Sequence, residues 1–395
     1  MSQIKITDFA QFSSLLSSEE NMILSQTKEF VNKEVLPIID QAYMDAVFPS
    51  ELISKIGSMG FLGAPLEGYG CPGLNYVSYG LINMMLEAGD SAIRSFNSVQ
   101  TSLVMYPIHA FGTEAQKQKY LQKLSSGEFI GCYGLTEPDH GSNPAGMVTN
   151  AKKVDGGFIL NGSKMWITNG SVADLAIVWA KCEAVSKGKN HICAFIVDKD
   201  TKGFSTKLMK NKLSLRASVT SELIFEDCFI PEENFLPGTE QGLKAALMCL
   251  NSARLGIAWG VIGSAMVCYQ TALDYALSRV QFHDKPIASH QLIQKDLVDM
   301  LTEITKAQFL TLQVTRLKER DEVTPEQISM VKKNNVAMAI ETARKARAIL
   351  GANGISAEYP IMRHMSNLES VITYEGTDNV HTLNIGKFIT GYNAF

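Results

Sequence analysis

Apolar positions recur with a helical period along the first third of the chain. Ser17, followed three residues later by Glu20, has the form of a capping box, and Leu24, Val31 and Val35 continue one face until Pro37, where the spacing predicts that the helix ends. Helical patterning persists to about residue 130 and then stops. GFILNG, DLAIVWAKC, HICAFIVDK and SELIFEDCFI are short, rich in β-branched and aromatic residues, and divided by Gly, Asn, Asp and Lys, as strands are. After Pro231 and Pro237 the helical period returns. Leu297, Met300, Leu301, Ile304 and Leu312 mark one face between Gln291 and Lys318, for more than about seven turns. A second long pattern runs from Pro325 to Leu350. The order helices, strands, helices lacks the alternation of a doubly wound sheet and predicts an α+β multidomain chain. Its units are an N-terminal helical domain over 1–130, a middle β domain over 131–238 and a C-terminal helical domain over 239–395.

Length agrees, since 395 residues exceed what one hydrophobic core usually serves. The net charge of −4 is dispersed, with no basic footprint for nucleic acid and no polybasic membrane patch. No run approaches the roughly 18 apolar residues of a membrane span. Seven cysteines form no CxxC pair and no Cys/His spacing suited to a metal, which predicts reduced thiols in a reducing compartment. MSQIKITDFAQFS has no Arg and no apolar core of a leader, so the expected location is a bacterial cytoplasm, or the mitochondrial matrix for a mature form.

Four segments carry candidate chemistry. GCYGLTEPDHGSNPAG, residues 131 to 146, is either a loop that brings backbone N–H groups and the Tyr133 and Thr136 side chains to a ligand, or a plain turn. MWITNG, residues 165 to 170, sets Trp166 and Thr168 on one side of a strand, as a π face with a hydroxyl or as a stacked core tryptophan. LEAGDSAIRSFNSVQTSLVM carries Arg94 near Ser91, Ser95, Ser98 and Thr101, with Asp90 and Glu87 placed to hold its guanidinium. That helix face is either solvated or a buried fork for a carboxylate. In TYEGT, Gly376 removes a side chain beside Glu375, which is a surface turn or a carboxylate open to a ligand.

Taken in order, GLTEP with GS, WIT about thirty residues later, RxxF at Arg279 to Phe282, and YEGT about twenty residues from the C-terminus resemble the acyl-CoA dehydrogenases over essentially the whole chain. The resemblance implies a middle β-barrel-like domain, a C-terminal four-helix bundle, bound FAD and a homotetramer. It places Tyr133, Leu135, Thr136, Gly141 and Ser142 along the flavin and upper acyl-CoA channel, Trp166 and Ile167 against the isoalloxazine, and Thr168 near its N5. Arg279, Phe282 and Gln291, with Leu350 and Gly351 from a neighbouring subunit, would meet the pyrophosphate and adenine end. Thr377 and Asn379 would also reach FAD. LMCLNSAR, with Leu247, Asn251 and Arg254, matches the pantetheine-facing part of the bundle.

Within the family, SVQTSLVMYPIHAFG, KLSLRAS, LNSARLGIAWGV and YEGTDNVHTLNIGKFITG are most similar to the branch that acts on glutaryl-CoA. By that resemblance Glu375 is the catalytic base, Arg94 and Ser95 bind the distal carboxylate, and Ser142, Tyr374, Gly376 and Glu87 line the substrate. Glu87 and Tyr374 match the decarboxylating kind, which yields crotonyl-CoA and CO2 and passes electrons to electron-transfer flavoprotein. Two departures stand out: QFHDKPI carries one residue more than the family's usual turn, and LGANG replaces LGGNG. The other readings are a non-decarboxylating relative, a relative acting on an uncharged short or branched chain, and a flavin-free binding or assembly protein of the same fold.

Overall fold

The capping box at Ser17 forms: the Glu20 N–H donates to the Ser17 hydroxyl at 3.2 Å, and the Ser17 N–H to Glu20 Oε2 at 2.8 Å. The structure is a computed structural model that describes residues 3–185, 187, 191–282 and 284–394. Helix α1 (Ser18–Phe30) does not end at Pro37. A π-turn over Val31–Val35 leads into α2 (Leu36–Asp45), so Pro37 falls in the first turn of the new segment, where its missing N–H has no partner to lose. The rest of the N-terminal unit comprises α3 (Leu52–Ser58), the two-residue ladder β1 (Glu67–Gly68) and β2 (Cys71–Pro72), α4 (Tyr76–Gly89), α5 (Ser91–Ser98), α6 (Tyr106–Phe111) and α7 (Glu114–Ser126). A π-helical stretch, Val99–Met105, joins α5 to α6.

The middle unit is one curled sheet of β3 (Gly131–Gly134), β4 (Asn150–Val154), β5 (Gly157–Thr168), β6 (Leu175–Lys181), β7 (Ile192–Asp198), β8 (Phe204–Leu208) and β9 (Thr220–Pro231). Its order is β3-β6-β4-β5-β9-β8, with β7 pairing β6. Alternation decides its two faces. Leu175, Ile177 and Trp179 of β6 join the helical core, whereas Ala176, Val178 and Ala180 pack inside the sheet with Phe158, Phe195 and Phe225. A strand buried on both sides explains why DLAIVWAKC reads as nearly continuous apolar sequence.

The C-terminal unit contains α8 (Leu243–Ser278), the short ladder β10 (Val280–Gln281) and β11 (Lys285–Pro286), then α9 (Gln291–Glu319), α10 (Pro325–Ile349), α11 (Ile361–Val371) and α12 (Asp378–Thr390). Helix α8 packs against α4, α9 and α10, and every residue from Ser252 to Met266 is buried. It is long and apolar enough to cross a membrane by composition, but 83% of its apolar window is buried inside the protein, as befits a central core helix. Close approach is built from small residues: a Cβ on Gly80 would stand 2.3 Å from the Trp259 indole, and one on Gly263 1.9 Å from the Met84 carbonyl. The N-terminal and C-terminal helices therefore share one core, and the seam between α4, α5 and α8 holds Glu87, Arg94 and Arg254.

Candidate active site

Arg94 lies on α5 and is 1% exposed, so its helix face is not solvated. Its Nε donates to Glu87 Oε2 at 2.5 Å, and its Nη2 to the Tyr374 hydroxyl. The guanidinium carbon also stands 5.7 Å from the centre of the Tyr374 ring. Nη1 has no hydrogen-bond partner among the described residues. Glu87, fully buried, takes a second hydrogen bond from Ser91 Oγ at 2.9 Å. Burial alone would weaken the Arg94 proton, but Glu87 and Tyr374 more than offset this and raise its pKa. Asp90 does not hold Arg94. It caps α5 through the Ala92 N–H and accepts from Arg363 Nη1 at 2.6 Å and Asn367 Nδ2 at 2.9 Å, because the helix break at Asp90 turns its carboxylate towards α11. Ser95 is buried beside this group, and the Thr101 hydroxyl is occupied by the Gly63 N–H.

Gly260 of α8 makes room for the pair, since a Cβ there would lie 2.2 Å from Glu87 Oε2 and 3.0 Å from Arg94 Nε. Sequence reasoning passed over it. The small residues at 256, 260 and 263 in LGIAWGVIG were the available signal of a close helix contact.

Glu375 occupies the loop between α11 and α12 in a left-handed conformation, φ 54°, followed by Gly376 at φ 104°. A non-glycine residue held this way costs of order 1–3 kcal/mol and persists only where its surroundings enforce it. The enforcement comes from Arg254 on α8, whose Nε donates to the Glu375 carbonyl at 2.7 Å and whose Nη1 donates to Asn251 at 3.1 Å. Leu247, Asn251 and Arg254 thus share one face of α8, with Leu247 open to solvent. The carboxylate oxygen Oε2 of Glu375 is buried without a hydrogen-bond partner among the described residues. Burial pushes its carboxyl above the usual carboxylate range, against the pull of Arg94, Arg254 and Lys332. The surface-turn reading of TYEGT therefore gives way to a desolvated carboxyl whose Oε2 has no hydrogen-bond partner among the described residues.

The flavin-facing residues fall into two kinds. Trp166 is 60% exposed, at φ 64° on a bulge of β5, while its neighbour Ile167 is buried in the sheet core and Thr168 is half-buried. The ring is not a core tryptophan; the left-handed bulge turns it outward, and a planar cofactor fits such a face. Ile167, Leu135 and Leu350 point their side chains into the cores, so they could meet a cofactor only through their backbone. Thr136 is half-buried and Gly141 and Ser142 are exposed, along the loop that follows β3. The Tyr133 hydroxyl donates to the Ala246 carbonyl at 3.3 Å, tying β3 to α8. Thr377 Oγ1 accepts from the Val380 N–H as the cap of α12, and Asn379 is exposed. Beneath GLTEP sits a pair that sequence reasoning missed: Lys164 Nζ donates to Glu137 Oε1 at 2.9 Å and to the Leu135 carbonyl at 3.1 Å. Glu137 also accepts from the Val148 and Thr149 N–H groups, so the loop is held from below.

Arg279, the exposed Phe282 and Gln291 gather at the β10–β11 ladder, where Phe282 meets His290 edge-on at 5.9 Å. His283, within the longer QFHDKPI turn, lies outside the described residues. Gly351 is exposed after α10, near this end of α8, and Asn353 donates to the Tyr275 hydroxyl at 3.0 Å. Arg254 and Arg279 are separated along α8 by roughly 37 Å at 1.5 Å per residue.

The chain matches the family model for the acyl-CoA dehydrogenase N-terminal domain over residues 17–128, the middle domain over 132–228 and the C-terminal domain over 240–390. It is 37% identical over 377 residues to an acyl-CoA dehydrogenase of Bacillus subtilis, covering 95% of this chain and 99% of that one. Among solved structures, it is similar to a glutaryl-CoA dehydrogenase from Mycobacterium smegmatis at 51% identity and a TM-score of 0.94, covering 97% of both chains. It is also similar to a glutaryl-CoA dehydrogenase from Mycobacterium smegmatis in complex with FADH2, at 47% identity and a TM-score of 0.95, covering 98% of this chain and 99% of that one. With three successive domain matches, an outward Trp166 face and a desolvated Glu375, the chain belongs to the acyl-CoA dehydrogenase family of FAD-dependent enzymes.

Proposed function

We propose that this protein oxidises glutaryl-CoA and decarboxylates the product to crotonyl-CoA and CO2. The observation that carries the reading is the Arg94 fork: a buried guanidinium whose Nε and Nη2 are held by Glu87 and Tyr374 while Nη1 has no hydrogen-bond partner among the described residues. A neutral acyl chain offers such a group nothing, whereas a distal carboxylate gives it a charge-assisted hydrogen bond.

The chemistry then follows from residue positions. Trp166, Thr168, Thr136 and the 141–142 backbone would hold FAD, which when bound supplies the two-electron sink for the β C–H bond. Glu375 takes the α proton. Its raised pKa makes it a stronger base than an exposed carboxylate, and Arg254 fixes its backbone while the acid forms. Arg94 keeps the distal carboxylate at the far end of the pocket, aligned for C–C cleavage once the thioester is conjugated. Loss of CO2 moves negative charge towards the thioester, and protonated Glu375 returns its proton to the resulting dienolate.

Electrons leave the enzyme to electron-transfer flavoprotein in this reading, as the family resemblance implies. We extend the proposal to a homotetramer, as the family resemblance implies, with a second chain helping to complete the cofactor's far end. Anaerobic addition of an acyl-CoA panel to the purified holoenzyme tests the substrate. Glutaryl-CoA should bleach the flavin faster than butyryl-CoA, with crotonyl-CoA and CO2 found by mass analysis. Bleaching by butyryl-CoA alone would overturn the substrate assignment, and glutaconyl-CoA without CO2 would overturn decarboxylation.

A further inference from the structure

Lys332 lies in the middle of α10 and is 1% exposed, and it belongs to none of the family motifs quoted above. Its Nζ donates to the Gly376 carbonyl at 2.7 Å and to the Tyr374 carbonyl at 3.1 Å. Arg254 takes the carbonyl between them, that of Glu375, at 2.7 Å. Three successive carbonyls are thus turned onto two buried cations from different helices, across the two residues with left-handed φ. A buried ammonium is unfavourable unless it is bonded and compensated.

We propose that Lys332 is a positioning residue for Glu375, gripping the carbonyls on either side of the base and setting a positive charge beneath its carboxylate. The inference rests on Glu375 being the base of the proposed reaction, but not on glutaryl-CoA being the substrate.

The charged surroundings make the grip dependent on pH. Glu375 and Asp378 favour the ammonium; Arg254 and Arg94 oppose it, and His381, kept neutral by burial, faces the same space. Lys333 is the nearer partner of Asp378, at 3.1 Å, so Glu375 is the main compensating charge. Burial carries Lys332 down to about 7 in spite of that partner. The reductive rate should rise as Glu375 loses its proton and fall as Lys332 loses its own. Removing Lys332 takes away the second limb, and it moves the first to higher pH because a favourable charge beside Glu375 is gone.

The test uses holoenzyme and whichever acyl-CoA bleaches wild type at saturation, with the rate followed from pH 5 to 10. Lys332→Met should lower the rate about 100-fold, the cost of a base misplaced by about 1 Å, remove the alkaline limb and raise the acid limb. Lys332→Arg, which keeps the charge at every pH, should lack the alkaline limb but keep the acid limb in place. Infrared difference spectra against Glu375→Gln give a readout apart from turnover: the protonated carboxyl band should persist to higher pH in Lys332→Met. Should that variant not fold, Lys332→Gln, neutral and still a donor, is expected to move the same band. A rate within threefold of wild type with both limbs unchanged would overturn the proposal. If glutaryl-CoA is inert but butyryl-CoA is turned over, the substrate assignment fails and the Lys332 test still runs. If Glu375→Gln bleaches as wild type does, the base assignment itself fails.

Discussion

Replacing Arg94 by Met keeps most of the side-chain volume and removes the guanidinium. The wild-type fork spends Nε on Glu87 and Nη2 on Tyr374, leaving Nη1 as the principal donor for a substrate carboxylate. Truncating one side of a buried charge pair typically costs about 2–5 kcal/mol, and a fork already shared with Glu87 should fall in the lower half of that range. At about 3 kcal/mol the loss in kcat/KM for glutaryl-CoA is roughly 150-fold. Butyryl-CoA, which ends before the fork, should change by less than about threefold. A complication can be removed by design. Without Arg94, Glu87 is fully buried with only Ser91 as partner, and such an orphaned charge destabilises by about 3–5 kcal/mol. The double variant Glu87→Gln/Arg94→Met relieves it, so loss of glutaryl-CoA activity in a protein of normal Tm and flavin content isolates recognition from folding. Stopped-flow bleaching under anaerobic conditions, with both thioesters and both variants, measures the effect. Equal losses for the two substrates, or glutaryl-CoA turnover within threefold of wild type, would refute the fork.

Two further outcomes follow from the same geometry. Because burial raises the Glu375 pKa, the folded protein holds that proton more tightly than the unfolded chain. Its contribution to stability is then greatest below the ordinary carboxylate range and is lost as pH rises through the folded value. Glu375→Gln should abolish bleaching, melt like wild type near pH 4, and be more stable by about 1 kcal/mol at pH 8 at equal free FAD; greater stability at pH 4 only would contradict the sign. Arg279→Ala should lower FAD retention on dilution and weaken subunit association in ultracentrifugation while leaving the Arg94–Glu87 pair intact; full retention with an unchanged oligomer would argue against a second chain completing the cofactor site.

Local rules carried the reading of this chain a long way, and they failed where a residue's role depends on a distant partner. The order of elements was legible because each follows its own period: α9 runs Gln291–Glu319 and α10 Pro325–Ile349, within a residue of their apolar patterns. Pro37 misled because the π-turn before it is a tertiary adjustment with no sequence period of its own. Asp90 misled for a related reason. Helical spacing places it near Arg94, but the chain breaks there and its carboxylate serves Arg363, 273 residues away. Lys332 gave no signal at all, since VKKNN offers two adjacent lysines and only the fold buries the first.

The charged groups of the site form one electrostatic arrangement. Around the acyl end stand Arg94, Arg254 and Lys332 against the carboxylates Glu87 and Glu375, with Lys333 and Asp378 cancelling each other nearby. With the bases ionised this leaves one positive charge in excess, and a substrate bearing one distal carboxylate neutralises it. A neutral acyl chain leaves it standing in a desolvated pocket, which disfavours binding. In the proposed reaction, transfer of the α proton to Glu375 would restore the excess beside Arg254 and Lys332, on the side where the negative charge left by CO2 would be received. If the proposed reaction holds, selection of a dicarboxylic thioester would draw on Arg94, and stabilisation of the dienolate on Arg254 and Lys332.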